Sequence, residues 1–160
     1  MNEPPESFLL EDATDVPPGV PLFTDDEPHR YWLLSNGRSW KLVLGQNIRN
    51  VPPNIFVAKS GIIFVGLDHG SSASIRPSDG SIIDRVKLFD GNMVFWNDCG
   101  GLIIAGGELE VGVFSLEGKF LWRASLGDVI VNIEHENDVV ELTDFSGNVS
   151  RYEARTGRLL

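Results

Sequence analysis

One short pattern occurs four times along the chain and constrains the fold more than any other sequence feature. A polar residue and a glycine are followed within four positions by Trp or a large aliphatic residue. The copies are SNGRSWKLVLG at Ser35–Gly45, SDGSIIDRVKLF at Ser78–Phe89, SLEGKFLWRASLG at Ser115–Gly127 and RTGRLL at Arg155–Leu160. Gly80, Gly118 and Gly157 lie 38 and 39 residues apart, and Gly37 precedes Gly80 by 43. Such a spacing indicates a repeated structural unit.

Each repeat contains four short apolar runs separated by turn residues. The third full unit, for example, reads VIVNIEHEND, VVELTDFSG, NVSRYEARTG and RLL. Runs rich in Val, Ile, Phe and Trp with Gly, Asn and Asp between them predict an antiparallel β meander. No window of 11 or more residues has convincing 3.6-residue periodicity, so almost no helix is expected. The predicted fold is all-β, with antiparallel four-stranded units in a propeller-like arrangement that is open or small. The alternative is a β-sandwich or barrel.

The polar residue and glycine of each repeat predict a tight turn between the third and fourth strands of a unit. Glycine adopts the positive φ of such turns at little cost. The Trp, Ile or Leu that follows is predicted to anchor the outer strand on the next unit. The four tryptophans are therefore interpreted as structural anchors.

These repeats resemble the quinoprotein-type and WD-like β-propeller families, in which a strand similar to IIFVG precedes a further strand, a TG or DG turn and a tryptophan. The resemblance extends over Leu22–Leu160 and implies a fold, not a chemistry. Propellers of those families have six to eight blades, whereas this chain has three full units and one partial unit. A closed four-unit ring, an open arc and a ring completed in a homodimer all remain open.

The beginning of the chain differs in composition from the rest. Five of the nine prolines lie in the first 21 residues. Because proline lacks an N–H and restricts the preceding residue, residues 1–21 are predicted to form a Pro-rich extended arm, and residues 22–160 the β domain. The apolar segment Phe8–Leu10 is expected to dock on this domain, and one option is that it supplies a closing strand to the last unit.

Net charge and cysteine content restrict the partner and the compartment. With 13 Lys and Arg against 23 Asp and Glu, the formal net charge is −10. This balance disfavours binding to nucleic acid or to an anionic membrane. The single cysteine, Cys99, excludes an internal disulfide, and the first residues do not have the pattern of a secretory signal. A cytoplasmic, bacterial protein is expected.

The sequence contains no convincing catalytic or metal-binding motif. His29, His69 and His135 are isolated, and no spacing matches a zinc site. Asp68, His69 and the serines after them are too close in sequence for triad geometry, and DFSGN at residues 144–148 departs from a calcium loop. We therefore predict no catalytic residue, no metal, no cofactor and no enzymatic activity.

The predicted meander separates the charged residues onto two rims. Turns between first and second strands, and between third and fourth strands, share one rim, where acidic and basic residues balance. The opposite rim, here called the acidic rim, carries nearly all the excess negative charge. Its acidic residues are predicted to bind a partner: Asp25, Asp26, Glu27, Asp68, Asp90, Glu108, Glu110, Asp128 and Asp144. Charge removal at the predicted loop residues Glu108 and Glu110 is expected to cost little stability.

A single-sign surface steers a partner of opposite charge. The sequence therefore favours a non-catalytic module that binds a basic protein, and the sharper hypothesis is an immunity or antitoxin-type inhibitor of a basic toxin. Two alternatives remain. One is a hydrolytic or metal-dependent enzyme with a cleft on the acidic rim, and the other is a subunit of a larger assembled propeller.

Overall fold

The described part of the chain is built from β-strands. The computed structural model describes residues 8–24, 27–47, 51–88 and 95–160, and no helix occurs in these ranges. None of the described residues therefore forms a helix that could span a membrane. The strands are β1 (Leu9–Ala13), β2 (Leu22–Phe23), β3 (Arg30–Ser35), β4 (Lys41–Gln46), β5 (Asn54–Val57), β6 (Ile63–Gly66), β7 (Ser71–Ile75), β8 (Ile82–Lys87), β9 (Phe95–Asp98), β10 (Leu102–Gly106), β11 (Glu110–Ser115), β12 (Phe120–Ser125), β13 (Ile130–Glu136), β14 (Val139–Asp144) and β15 (Val149–Glu153).

The strands form four sheets that follow one another along the chain. The first sheet has the order β1-β3-β4-β2, the second β5-β6-β7-β8, the third β9-β10-β11-β12 and the fourth β13-β14-β15. The second, third and fourth sheets are antiparallel meanders, in which each strand pairs with the next. The predicted fold class, all-β with four-stranded antiparallel units, is confirmed. The run RLL, predicted as the fourth run of the last unit, forms no strand, and only Leu159 makes an isolated bridge to Tyr152.

Three hydrophobic clusters join each sheet to the next. The first cluster packs Leu34 and Leu42 of the first sheet against Ile63 of the second. The other two clusters join the second sheet to the third and the third to the fourth. Strands β6, β7, β10 and β11 are buried on both faces because their sheets lie between two neighbours. No such cluster among the described residues joins the first sheet to the fourth, so the propeller-like stack is open.

The large residue after three of the four repeated turns anchors its sheet on the next sheet, as the sequence predicts; after the fourth turn, Leu159 and Leu160 are exposed. The indole N–H of Trp40 donates to the Pro77 carbonyl at 2.7 Å, and a Cβ at Gly80 would lie 2.5 Å from the Trp40 ring. The φ of Gly80 is +70°, the left-handed region that glycine occupies without strain. Ile83 occupies the matching place beside Gly118. Glycine therefore serves both the turn and the close approach of the anchor.

The fourth sheet receives its anchor from the third in the same way. The indole N–H of Trp122 donates to the Ala154 carbonyl at 2.7 Å, and its ring stacks on Tyr152 with centroids 5.5 Å apart. A Cβ at Gly157 would lie 2.6 Å from the Trp122 ring. The recurrence of one contact between successive sheets explains why the chain repeats one turn sequence.

Part of the predicted arm is a strand of the first sheet. β1 pairs antiparallel with β3, from Leu9 opposite Ser35 to Ala13 opposite Tyr31. The option that this segment closes the last unit is therefore wrong, since it pairs at the other end of the stack. The run after the arm also differs from a regular unit, because Leu22–Phe23 pairs parallel with β4. The division at residue 21 is not tested by this pairing and stays a prediction.

The arm also covers the outer face of the first sheet. β1 and β2 lie on opposite edges of the β3–β4 pair, so the chain between them crosses the pair. Gly19, Val20 and Pro21 line a cavity together with Leu33 and other residues of that face. Val43, on the same face, has an exposed fraction of 0%. The arm thus shields apolar side chains that no further sheet covers.

The outer face of the fourth sheet is charged. Glu134, Glu141 and Arg151 are cross-strand neighbours on this face, and Val140, Leu142 and Tyr152 face the third sheet. The Arg151 guanidinium pairs with the Glu141 carboxylate at 2.7 Å. A polar outer face is typical of a terminal unit in a repeat protein, because no neighbour buries it.

Candidate protein-binding rim

Backbone hydrogen bonds join the loops of the acidic rim across the third and fourth sheets. The Ile130 N–H donates to the Glu108 carbonyl at 2.9 Å, and the Leu126 N–H donates to the Leu109 carbonyl at 2.8 Å. The Phe145 N–H donates to the Val129 carbonyl at 2.7 Å. The β10–β11 turn and the β14–β15 turn are therefore both fastened to the loop between β12 and β13. This arrangement gives the part of the rim formed by the third and fourth sheets a continuous, hydrogen-bonded backbone.

Asp68 is a buried structural member of the rim. Its carboxylate accepts the Asn47 N–H at 2.9 Å and lies 2.8 Å from Nε2 of His69. Its own N–H donates to the Gln46 side-chain oxygen at 2.9 Å. Gln46 is the last residue of β4 in the first sheet, and Asn47 follows it. Asp68 therefore joins the first sheet to the second. A buried carboxylate that accepts such bonds stabilises the fold and offers little surface to a partner.

Asp144 and Glu110 are also buried. The Asp144 carboxylate accepts both the backbone N–H and the side-chain amide of Asn148, at 2.8 and 2.9 Å, and so holds the β14–β15 turn. Glu110 is only 3% exposed at the start of β11. The expectation that Glu110 lies in a loop and can lose its charge at little cost is wrong, because it is a buried strand residue. Polar groups at such depth are paired, and removing one partner is costly.

The remaining described acids of the rim reach solvent. Glu27 and Glu108 are exposed, and Asp128 is half-buried. The Asp128 carboxylate accepts the Ser146 hydroxyl at 2.6 Å and the Val129 N–H at 2.8 Å. These hydrogen bonds, the Ser146 hydroxyl first, lower the pKa of Asp128 and keep it charged. Asp25, Asp26 and Asp90 lie outside the described residues. Partner binding by the nine acids stays a prediction.

Two exposed apolar side chains lie on the same rim, and sequence reasoning missed both. Phe145 is 77% exposed and Leu109 is 46% exposed. They lie on the two turns that are fastened to the β12–β13 loop. Leu109 follows Glu108 in its turn, and the Phe145 N–H donates to the carbonyl of Val129, the residue after Asp128. The signal for them was an apolar residue inside a turn otherwise made of Gly, Ser, Asp and Glu, in DFSGN and GGELEVG.

The described residues offer little for metal or thiol chemistry. No group of three or more His, Cys, Asp or Glu among them could hold a metal ion. Cys99 is a free thiol, and burial, with a smaller contribution from Asp98, raises its pKa. A raised pKa disfavours the reactive thiolate. The prediction that the chain is not an enzyme stays a prediction.

Comparison with known proteins shows similarity at the level of structure. No protein-family model and no curated protein matches the chain. BamB from Moraxella catarrhalis is similar with 13% identity and a TM-score of 0.48, over 81% of this chain and 47% of BamB. Saccharomyces cerevisiae Sqt1 is similar with 16% identity and a TM-score of 0.49, over 82% and 42%. The computationally designed Ika8 protein has 15% identity and a TM-score of 0.47, over 86% and 46%.

The chain spans less than half the length of each of these proteins. The propeller-like assignment rests on the order of the strands and on the anchors between sheets. Assignment to the quinoprotein-type or the WD-like repeats stays a prediction.

Proposed function

We propose that the chain is a non-catalytic module that binds a basic protein through the part of the acidic rim formed by the third and fourth sheets. The observation that carries this proposal is the exposure of Phe145 and Leu109 beside Glu108 and Asp128. A soluble protein gains nothing in stability from a phenylalanine that is 77% exposed. Contiguous exposed apolar patches rimmed by polar residues mark interaction sites, and aromatic residues are enriched in such sites.

The four side chains have complementary roles in this proposal. The aromatic ring of Phe145 and the side chain of Leu109 would bury apolar area in the complex and slow dissociation. The carboxylates of Glu108 and Asp128 would attract a basic partner and raise the association rate. Because hydrogen bonds to the β12–β13 loop fix both turns, the surface is already ordered before binding, which reduces the entropic cost.

The finer hypothesis is that the partner is a basic toxin and the chain its immunity or antitoxin-type inhibitor, in the cytoplasm of a bacterium. The support for this step is the net charge of −10 and the acidic, partly apolar rim. The alternative of a subunit in a larger assembled propeller has less support, because the arm covers one outer face of the stack and charged side chains occupy the other. An enzyme with a cleft on the acidic rim has no specific observation in its favour.

The test begins with capture of the partner from the source cell and its identification by mass spectrometry. Surface plasmon resonance then compares three variants with the parent protein at about 0.1 M salt, where the Debye length is about 10 Å. Phe145→Ala is expected to raise the dissociation rate, and the double variant Glu108→Gln with Asp128→Asn is expected to lower the association rate. Each should weaken binding at least about tenfold.

Glu117→Gln is the matched control. Glu117 is an exposed carboxylate on the opposite, neutral rim, so its neutralisation should leave both rates unchanged. An acidic partner would contradict the proposal. So would binding that Glu117→Gln weakens and Phe145→Ala does not. Circular dichroism of each variant establishes that a change in binding is not a loss of the fold.

A further inference from the structure

A second candidate site lies between the first and second sheets, whereas Phe145 lies on a turn of the fourth sheet. It is a cleft of about 320 Å³ lined by Phe23, Ser71, Arg85, Val86 and Lys87. This volume is at the lower end of the range for small-ligand pockets. Two of its five lining residues are cationic, although the chain as a whole carries a net charge of −10.

The pairing of β7 with β8 explains why these side chains converge. Ser71 lies opposite Lys87, and Ala73 lies opposite Arg85. Directly opposed residues of an antiparallel pair place their side chains on the same face of the sheet. Ala73 belongs to the cluster that contains Phe23, so this face is the one that meets the first sheet. The hydroxyl and the two cationic side chains therefore border one cleft with Phe23.

The Ser71 hydroxyl is buried and has no hydrogen-bond partner in the part of the chain that the structure describes. Ser71 is 1% exposed, and its Oγ atom has no donor or acceptor within reach among the described residues. Buried hydroxyl groups are nearly always paired, and an unpaired one is costly. Its position at the cleft indicates that a ligand or an ordered water accepts its hydrogen bond.

The cations of the cleft also have no counter-charge in the described part of the chain. Neither Arg85 nor Lys87 forms an ion pair there. Ion pairs are formed by Arg30, Arg76, Arg151 and Arg158. The two side chains extend from alternate positions of β8 on one face. Two cationic donors and one hydroxyl donor around a small cleft match the charge and the hydrogen-bond acceptors of an oxyanion.

We propose that this cleft binds a small oxyanion, a carboxylate or a phosphate group. Arg85 and Lys87 would supply the positive charge, and the Ser71 hydroxyl would donate a hydrogen bond to an oxygen of the ligand. The site does not depend on the proposed function of the rim, because it shares no residue with it.

The test uses the full chain and two probes, inorganic phosphate and acetate, each titrated at constant ionic strength set with sodium chloride. Binding is followed in ¹H–¹⁵N NMR spectra through the backbone amides of Ser71, Arg85 and Lys87. We expect saturable shifts at these amides with one of the probes. Saturation with phosphate would identify a phosphate site, and saturation with acetate would identify a carboxylate site.

Variants then identify the groups responsible. Arg85→Gln combined with Lys87→Gln should weaken binding at least about tenfold, and Ser71→Ala should weaken it by a smaller factor. Lys59→Gln is the matched control, since Lys59 is an exposed cation on the β5–β6 turn of the opposite rim. It should bind as the parent does.

Three results would overturn the proposal. The first is the absence of saturation with both probes. The second is a set of shifts spread over the whole surface. The third is equal weakening by the Lys59 variant and by the double variant. Unchanged amide dispersion of each variant outside the cleft shows that the fold is retained, so that weaker binding reports on the site.

Discussion

The contact between Trp122 and the fourth sheet is the most informative place to perturb the fold. Replacement by alanine removes a buried indole that stacks on Tyr152 and contacts Gly157. Truncation of a buried Trp to Ala costs about 3–5 kcal/mol. The Ala154 carbonyl also loses the indole N–H, which adds about 1 kcal/mol. We expect the free energy of unfolding to fall by about 4–6 kcal/mol.

The assay is urea unfolding followed by far-UV circular dichroism, with Trp122→Phe and Phe145→Ala as controls. Phenylalanine keeps most of the ring packing and loses the hydrogen bond to Ala154, so a loss of about 1–2 kcal/mol is expected. Phe145→Ala removes an exposed ring and should change stability by less than about 0.5 kcal/mol.

Native-state hydrogen exchange locates the effect of Trp122→Ala within the fold. Units of a repeat stack contact only their neighbours, so the loss should be largest in the fourth sheet. The amides of β14, the central strand of that sheet, should lose protection before those of β10. An unchanged urea midpoint, or a loss of protection spread evenly over all four sheets, would refute this account of how the sheets are joined.

Three further predictions concern single turns. Gly80→Ala should destabilise the protein by about 1–3 kcal/mol in urea unfolding, because the new Cβ meets the Trp40 ring and φ is +70°. Asp144→Ala should cost about 1–3 kcal/mol in the same assay, since it removes a buried acceptor of two hydrogen bonds. Ser146→Ala should raise the pKa of Asp128, measured by carboxyl ¹³C NMR. The stabilisation linked to the lowered pKa of Asp128 is present above the pKa of the unfolded state. It is lost as the pH falls through the pKa of the folded state. The variant lacks part of this stabilisation, so its free energy of unfolding should fall less on acidification.

The sequence by itself determined the strand content, the recurrence of the turn between successive sheets and the two-rim arrangement of the turns. These features are local. Alternation of apolar runs with Gly, Asn and Asp reports directly on strands and turns. The spacing of Gly80, Gly118 and Gly157 reports on the repeat, since each unit must bring its anchor to an equivalent place. The anchoring role of Trp40 and Trp122 followed from that repeat.

Only the tertiary structure decided which charged and apolar side chains reach solvent. Asp68, Glu110 and Asp144 were predicted to be exposed rim charges, yet the fold buries them. The backbone N–H of Asn47 offsets the desolvation of Asp68, and Asn148 does so for Asp144. The sequence pattern indicated only an ordinary turn at Phe145, and the fold leaves its side chain exposed.

The place of the arm was likewise decided at long range. No feature of the segment Leu9–Ala13 specifies that it pairs with β3 and not with the last unit. An unpaired strand edge of either sheet offers the same backbone N–H and C=O groups. The cleft beside Ser71 arises in the same way, from the juxtaposition of β7, β8 and Phe23. Burial and pairing depend on residues far apart in sequence, and a local pattern specifies the strand but not its neighbour.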